Sequence, residues 1–344
     1  MTTEKQRLTA FAPCRLAFAG GGTDLPAYAD RYGGAVLSAA VSLGARVQVR
    51  PLDMRRLTLI LDDFELRADY ADAADAEHDE RPEVALVKHT LAWVRPAGGV
   101  EMIVRTGLPP GSGLGASGAV GVATTYALHR LVGREPSPEE VAETASVVEI
   151  EKVGRPIGRQ DQYAAAFGGL NFFRFAEDAV EREPVALPEP KLRDFRRHFM
   201  LFFSGQQRDS AAVLTDQRAR IVDGDEQTLA RLHRMKELAG EMREALAAYD
   251  WPGFGELMHE AWLAKREVSP KVADEATAAR CDGARERGAW AVKVTGAGAG
   301  GFYLAMAPPA AHDAVASYLA GEGFTPYEFE FDDAGVRVVE EELD

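Results

Sequence analysis

The sequence predicts an α+β protein with two domains, from its length and from the mixture of its hydrophobic patterns. Its 344 residues correspond to about two domains at the usual size of roughly 150 residues each. Strand-like and helix-like segments are mixed in both halves of the chain. A proline-rich stretch at residues 184–190 separates the halves. We therefore predict one domain over residues 1–187 and a second over residues 188–344.

The first half alternates strands and helices. We predict strands at 8–19, 35–49, 57–61, 64–68 and 100–105, helices at 83–94 and from the glycine-rich loop through Leu131, and a strand after Gly168-Gly169. A further helix begins at Ser137, because an N-cap serine followed by Pro138 and two glutamates is typical of a helix start. The acidic segment 69–80 is predicted to be an exposed loop.

The second half combines long helices with short strands. Strands are predicted at 198–203, 291–294, 302–307 and 325–331, and helices at 211–222, 226–249, 254–267 and 310–320. Residues 274–287 form a further element to which the pattern assigns no type. No internal repeat or low-complexity tract interrupts this pattern.

Charge and cysteine content exclude several classes of function. The net charge is −15, and no run of Lys or Arg offsets it, so we expect neither a nucleic acid nor a membrane as partner. The two cysteines, Cys14 and Cys281, lie too far apart for a disulfide framework or a cysteine-rich metal site. The first ten residues contain no apolar core, so we expect no signal peptide and a cytoplasmic location. The sequence leaves open whether the protein forms a homodimer.

Glycine clusters are the chemically informative feature. They lie at 20–22 (before Thr23-Asp24), 111–118, 168–169 and 296–301. Glycine lets backbone amides approach a phosphate closely, although a single cluster more often marks a turn. The cluster at 111–118 follows a strand and opens a helix, so its amides and the helix N-terminus predict an anion site.

Two familiar nucleotide motifs do not fit this loop. Gly113-Leu-Gly-Ala-Ser-Gly118 matches GxGxxG, but Glu139 and Glu140, about 20 residues on, lie at a helix start rather than at a strand end. Pro109 and Pro110 before the loop are also foreign to a tight Rossmann turn. A Walker loop is excluded because no GK[ST] follows.

The loop resembles the phosphate-loop motif of the GHMP kinases, a family that includes galactokinase, homoserine kinase and mevalonate kinase. Two further motifs of that family occur in order, PCR at 13–15 with GGGTD at 20–24, and KVTGAGAGG at 293–301. Within the family, the chain is most similar to the D-glycero-D-manno-heptose 7-phosphate kinases. The segments that carry this likeness are FAGGGTDLP (18–26), YGGAVLS (32–38), PIGRQDQYAAAFGGLN (156–171) and HEAWLAKR (259–266).

The resemblance implies a fold and a catalytic apparatus. An N-terminal ribosomal S5-like domain and a C-terminal ferredoxin-like domain would bind ATP at their junction. Asp161 would be the general base and Arg15 would lie near the transferred phosphate. From the residues alone, Asp161 could equally cap a helix, and Arg15 could form a strand-end salt bridge. The residues implied to hold the ATP phosphates are Pro110, Gly111, Ser112, Gly113, Leu114, Gly115, Ala116 and Ser117.

Mg²⁺ and substrate ligands follow from the same likeness. Ser117 and Glu149 would hold Mg²⁺, with Glu151 as the alternative that we interpret as a solvated helix face. Residues implied to contact the sugar are Gly21, Gly22, Thr23, Asp24 and Gly298. A phosphate already on the sugar requires cations, for which Arg159 and Arg208 are the leading candidates and Lys88 and Lys265 the next.

The function predicted from these observations is an ATP- and Mg²⁺-dependent kinase. It would phosphorylate the C1 hydroxyl of a heptose 7-phosphate, so its partners are a sugar phosphate and ATP. One alternative is a kinase of an unphosphorylated sugar such as fucose or galactose. Another is a catalytically inactive sugar sensor, against which Asp161, Glu149, Ser117 and Arg15 together argue.

Overall fold

The computed structural model describes residues 6–52, 55–109, 111–206, 210–298 and 300–343. Its strands, in chain order, are β1 (Gln6–Ala19), β2 (Gly34–Leu52), β3 (Leu57–Leu61), β4 (Leu66–Tyr70), β5 (Gly99–Arg105), β6 (Leu170–Phe175), β7 (Val180–Pro184), β8 (Phe199–Phe203), β9 (Ala291–Val294), β10 (Phe302–Met306), β11 (Thr325–Tyr327) and β12 (Arg337–Leu343). Its α-helices are α1 (Pro26–Tyr32), α2 (Ala73–Glu77), α3 (Pro82–Val94), α4 (Ala116–Leu131), α5 (Pro138–Val147), α6 (Gln160–Phe167), α7 (Glu189–Arg196), α8 (Ser210–Val222), α9 (Glu226–Ala248), α10 (Trp251–Arg266), α11 (Glu275–Arg285) and α12 (His312–Gly321).

The larger sheet is organised around β2. Its strand order is β12-β1-β2-β5-β3-β4, and β6 joins β2 to β7. One end of β2 pairs with β6 and the other with β5, while β1 runs antiparallel to most of its length. The first eight residues of β2 are buried, because α4 and α9 both contact this strand. Its apolar run therefore belongs to a strand covered on both faces.

Helix α4 connects the glycine-rich loop to this core. It begins after Gly115, whose φ of +79° lies in the left-handed region that glycine adopts without strain. Residues 118–129 of the helix are buried except Val120, and most of them are small. Small side chains allow the helix to pack closely on β1 and β2, which fixes the position of its N-terminus.

The smaller sheet is antiparallel, with the order β11-β8-β10-β9. All five residues of β10 are buried, because β10 lies inside the sheet between β8 and β9. Helix α11 packs on β9 and α12 on β11. A second apolar cluster, which includes Trp262, Val292 and Tyr303, fills this part of the molecule.

The last strand returns to the larger sheet. β12 pairs antiparallel with β1, so residues 337–343 are hydrogen-bonded to the sheet formed by the first half of the chain. The smaller sheet is built entirely from strands within 199–327. The division into domains at residues 187 and 188 stays a prediction. With that division, residues 188–344 contribute one strand, β12, to the sheet of the first domain.

Most predicted elements are confirmed, with bounds that differ by a few residues. The segment 69–80 is mostly exposed as predicted, but it is not entirely a loop, because Asp72 caps the short helix α2 by accepting a hydrogen bond from Asp75 N. The predicted linker at 184–190 includes the end of β7 and the start of α7. The strand predicted at 325–331 is limited to β11, although Phe331 forms an isolated bridge to Val41.

Within the described residues, no helix is both long enough and apolar enough to cross a membrane.

Candidate active site

A cavity of about 490 Å³ lies where three of the four glycine clusters meet. Gly21, Ser112 and Gly296 line it, one from each cluster. Leu61 of β3, Val87 of α3 and Val104 of β5 form an apolar wall. Another part of the cavity wall, which we call the polar end of the cavity, is formed by side chains of β1, the turn after β1, α6, α10 and β9, namely Arg15, Asp24, Gln160, Asp161, Lys265 and Lys293.

The glycine loop is held against the turn that follows β9. Ser112 O accepts hydrogen bonds from Phe302 N at 3.2 Å and from Thr295 Oγ1 at 3.4 Å. A Cβ atom on Gly296 would lie 2.5 Å from Gly113 Cα, and Gly296 has a φ of +63°. The two backbones therefore approach so closely that only glycine fits at this position.

Helix α4 supplies the anion-binding part of the site. Gly115, Ala116 and Ser117 line the cavity at its first turn, where free N–H groups and the helix dipole favour negative charge. The buried Ser112 Oγ also borders the cavity and has no hydrogen-bond partner among the described residues. An unpartnered buried hydroxyl and free amides fit the oxygen atoms of a phosphate.

Arg15 joins the glycine loop to Asp161. Its Nε donates to Asp161 Oδ1 at 2.7 Å, and its Nη1 donates to Gly113 O at 2.7 Å. Arg15 is buried, whereas the Asp161 side chain keeps 22% of its surface exposed and lines the cavity. The N-cap of α6 is Arg159, so the interpretation of Asp161 as that helix's cap is wrong. The carboxylate is thus held by a cation and still open to a ligand.

Asp24 organises the turn after β1. Its Oδ1 accepts from Gly22 N at 2.9 Å and from Gln160 Nε2 at 2.8 Å, and its Oδ2 accepts from Gln160 N at 3.1 Å. Burial raises the pKa of Asp24, while the Gln160 amide opposes that shift. Gln160 Oε1, in the cavity wall, is left buried and without a partner in the described part of the chain. Among the side-chain oxygen atoms of Asp24 and Gln160, Gln160 Oε1 is therefore the one available to accept a hydrogen bond from a ligand.

The neighbouring Thr23 has a different environment. Its hydroxyl donates to Gly20 O at 2.8 Å and accepts from Ala35 N at 3.0 Å, and the residue is fully buried. Gly21, Gly22 and Asp24 line the cavity, whereas Thr23 does not. The threonine therefore holds the turn in place.

Glu149 lies behind the cavity wall, on the π turn after α5. Its carboxylate is fully buried and accepts from Arg155 Nη1 at 2.9 Å and from Gln162 Nε2 at 2.8 Å. Arg155 itself lines the cavity and is partly exposed. Glu151 is exposed, as its interpretation as a solvated helix face requires.

Two lysines reach the polar end of the cavity from different elements. Lys265 of α10 donates to Gly296 O, and Lys293 of β9 donates to Ala17 O and Phe18 O, both at 2.8 Å. Burial lowers the pKa of Lys265 to about 8, with the positive charge of Arg15 as a further cause. Burial also holds the pKa of Lys293 well below its usual range.

The other predicted cations lie elsewhere. Arg159 donates to Ala176 O, pairs with Asp30 at 3.7 Å and does not line the cavity. Lys88 donates to the carbonyls of Glu77 and Asp79 and also lies away from the cavity.

Arg208 and Pro110, two further residues predicted to bind ligands, are outside the described residues. Gly298 packs close to Val272 and is not part of the cavity wall.

Arg155, Gln160 and Lys293 are among the polar cavity residues that were not singled out from the sequence. Each occurs inside a quoted motif or beside one, but its type alone does not set it apart from other polar residues. Cys14 is a small residue of the buried core, and burial raises the pKa of its thiol to about 12. No cluster of three or more His, Cys, Asp or Glu side chains suited to a metal occurs in the described ranges.

Comparisons with known proteins identify the family. The model of the GHMP kinases N terminal domain matches residues 84–169, and that of the GHMP kinases C terminal domain matches residues 242–324. The chain is 27% identical over 332 residues to a D-glycero-alpha-D-manno-heptose 7-phosphate kinase of Campylobacter jejuni, covering 94% of this chain and 96% of that one. It is 25% identical over 330 residues to the bifunctional fucokinase/GDP-fucose pyrophosphorylase of Arabidopsis thaliana, covering 89% of this chain and 30% of that one.

A solved structure gives the same result for the fold. The crystal structure of a D-glycero-D-manno-heptose 1-phosphate kinase from Bacteroides thetaiotaomicron superposes with a TM-score of 0.79 at 25% identity, covering 97% of this chain and 99% of that one. The chain belongs to the GHMP kinase family and has its two-domain α+β fold. It is a sugar kinase, and the donor used by this family is ATP.

The contact between Gly296 and the glycine loop leads to a first prediction. Gly296→Ala should lower the free energy of unfolding by about 1–2 kcal/mol, because a side chain in the left-handed region is strained. It should also raise KM for ATP, because the new Cβ displaces the loop at Gly113. Thermal unfolding and ATP-dependent kinetics measure the two effects.

Gly240→Ala in α9 is the matched control, since nothing beyond the neighbouring residues and the backbone of the helix itself lies within 4 Å of a Cβ at that position. It should leave KM for ATP unchanged and raise stability by up to about 1 kcal/mol, because alanine favours a helix over glycine. An unchanged KM for ATP in Gly296→Ala would contradict the proposed role of this contact.

Proposed function

We propose that this kinase transfers the γ-phosphoryl group of ATP to the C1 hydroxyl of a heptose 7-phosphate, giving the 1,7-bisphosphate. One observation carries the proposal. Asp161, paired with Arg15, faces a cavity that contains the phosphate-binding loop and two further cations, Lys265 and Lys293. The likeness to the heptose phosphate kinases of Campylobacter and Bacteroides supports the choice of sugar.

The donor fits the side of the cavity formed by β3, α3 and β5. The apolar wall formed by Leu61, Val87 and Val104 suits an aromatic base. The amides of the glycine loop, the first turn of α4 and Ser112 Oγ suit the phosphates. ATP would then place its terminal phosphate beside Arg15 and Asp161.

Proton transfer and charge stabilisation fall to Asp161 and Arg15. As the C1 oxygen attacks the γ-phosphorus, its proton passes to Asp161, and the bond between the γ-phosphorus and its bridging oxygen breaks to release ADP. Arg15 holds the carboxylate in position at 2.7 Å and places positive charge next to the transferred group. The unpartnered Gln160 Oε1 is suited to accept a hydrogen bond from a sugar hydroxyl, with Asp24 fixing its orientation.

Ser117 and Glu149 are the oxygen ligands that we assign to a magnesium ion. Both groups are of the type that Mg²⁺ prefers. Ser117 already lines the cavity, whereas Glu149 Oε1 becomes available only when Arg155 Nη1 leaves it. Arg155 is partly exposed and faces the cavity, so the guanidinium has room to move. When bound, Mg²⁺ neutralises charge on the phosphates of ATP.

The metal assignment gives a second prediction. Ser117→Ala and Glu149→Gln should each raise the Mg²⁺ concentration required for half-maximal rate, because each loses an oxygen ligand. Glu151→Gln, which changes an exposed carboxylate two residues away, should not alter it. Titration of initial rate with Mg²⁺ at saturating sugar measures this. If Glu151→Gln alone changed the Mg²⁺ dependence, the assignment of Glu149 would be wrong.

A kinase acting on an unphosphorylated sugar is the second candidate, and the likeness to the Arabidopsis fucokinase favours it. ADP release with a panel of heptose 7-phosphate, heptose, fucose and galactose separates the two. We expect turnover with heptose 7-phosphate to exceed that with the others. Higher kcat/KM with fucose or galactose would replace the proposed function with this alternative.

A further inference from the structure

Lys265 and Lys293 place two amino groups at the polar end of the cavity, with no carboxylate there to balance a positive charge on either of them. Among the described residues, neither side chain lies within ion-pair distance of an Asp or Glu; their recorded partners are backbone carbonyls. The third cation there, Arg15, is balanced by Asp161. Asp24 is the other nearby acid, and three N–H groups from Gly22 and Gln160 already satisfy it.

Such an arrangement is unfavourable until an anion arrives. A buried ammonium group without an anionic partner loses hydration that carbonyl oxygens replace only in part. The two lysines and Arg15 also repel one another, which contributes to the lowered pKa of Lys293. An ammonium group has three N–H donors, so after the hydrogen bonds above Lys265 keeps two free and Lys293 keeps one.

We infer that Lys265 and Lys293 form a binding site for a phosphoryl dianion. Both lysines line the cavity, and Lys293 donates to Ala17 O and Phe18 O near the end of β1, so the pair lies toward the turn after β1 rather than beside the apolar wall. The phosphate would therefore be the one that the sugar already carries, an assignment that rests on the proposed function. The other phosphoryl group that has this chemistry is the γ-phosphoryl group of ATP during its transfer.

Direct binding of inorganic phosphate tests the site itself. Calorimetric titration is made with the full chain saturated with a non-hydrolysable ATP analogue, so that the glycine loop is occupied. Wild type should bind phosphate, and Lys265→Met and Lys293→Met should each weaken binding about tenfold or more, the loss of one charged hydrogen bond. Lys191→Met is the matched control, because Lys191 is exposed and lies over Tyr249, away from the cavity.

The titration also identifies the source of the phosphoryl group. If the lysines hold the γ-phosphate, Lys265→Met and Lys293→Met weaken binding of the ATP analogue, and inorganic phosphate does not bind to the analogue complex. If the lysines hold the sugar's phosphate, the analogue binds all variants equally and only inorganic phosphate binding falls. Unchanged affinity for both probes in both variants would overturn the site.

The pH dependence is a second test of Lys265. Arg15, Asp24, Asp161 and Lys293 are the charged groups around it, and its pKa of about 8 means that it loses its proton as pH rises through that value. The affinity of wild type for the phosphate dianion, corrected for the fraction of phosphate that is doubly charged at each pH, should therefore weaken between pH 7 and 9. Lys265→Arg should bind phosphate with a smaller loss over this range, because arginine stays protonated. Lys265→Arg also retains the positive charge. If it binds phosphate and Lys265→Met does not, the loss in the methionine variant comes from the missing charge and not from misfolding.

Kinetics separate failure of the site from failure of the proposed function. With heptose 7-phosphate and heptose compared, a site for the sugar's phosphate predicts that Lys265→Met lowers kcat/KM for the phosphorylated sugar alone. A site for the transferred phosphoryl group predicts an equal fall for both sugars. If the wild-type enzyme prefers a plain sugar, the proposed function fails, and the analogue titration still decides whether the lysines bind a phosphoryl group.

Discussion

Asp161→Asn is expected to lower kcat at least about 10²-fold, because a positioned general base contributes roughly 10²–10⁴ to such reactions. Asparagine keeps the size of the side chain but cannot take the C1 proton. Because Arg15 is held by Gly113 O as well as by Asp161, the glycine loop should keep its shape and ATP should still bind. Single-turnover kinetics and calorimetric titration with ATP measure the two quantities.

Asp178→Asn is the control, since Asp178 is exposed and remote from the cavity wall. It should retain wild-type turnover. Near wild-type kcat in Asp161→Asn would remove this residue from the mechanism. Loss of ATP affinity together with activity would instead indicate that the Arg15–Asp161 pair acts by supporting the loop.

The second large effect is discrimination between heptose 7-phosphate and heptose. Each charged hydrogen bond to the sugar's phosphate should contribute about 1.5–3 kcal/mol, so two such contacts predict a ratio of kcat/KM on the order of 10² or more. KM for ATP should be the same with either sugar. Initial rates over a range of both substrates provide the ratio.

Variants show which cations produce this discrimination. Lys265→Met should reduce the ratio, because Lys265 lines the cavity and has no carboxylate partner among the described residues. Arg159 was a leading candidate from the sequence, but its guanidinium is held by Ala176 O and Asp30 outside the cavity wall. If Arg159→Ala rather than Lys265→Met removed the preference, the sugar's phosphate would bind against α6 and not at the lysine pair.

The sequence was sufficient for features that depend on local order. Glycine clusters at 20–22, 111–118 and 296–301 could be recognised individually, and the structure brings all three to one cavity. Predictions for the long strands and helices hold for the same reason, since periodicity and capping are local. Ser137, for example, caps α5 through Glu140 N as its neighbours predict.

Long-range features could not be predicted in the same way. β12 has the acidic sequence RVVEEEL and becomes a strand by pairing with β1 at the opposite end of the chain. Thr23 has the polar character of a ligand, yet its hydroxyl is used within its own turn and by Ala35 N. Lys265 was one of four candidate cations, and only the tertiary structure shows that it lines the cavity, whereas Lys88 and Arg159 donate to carbonyls elsewhere.

Analysis of the product tests the central claim most directly. The enzyme is incubated with ATP, Mg²⁺ and heptose 7-phosphate, and the product is examined by phosphorus NMR and mass spectrometry while ADP is quantified. The account predicts one ADP for each sugar converted and a second phosphate on C1, giving the 1,7-bisphosphate. A new phosphate on another carbon, or turnover only with unphosphorylated fucose or galactose, would contradict it.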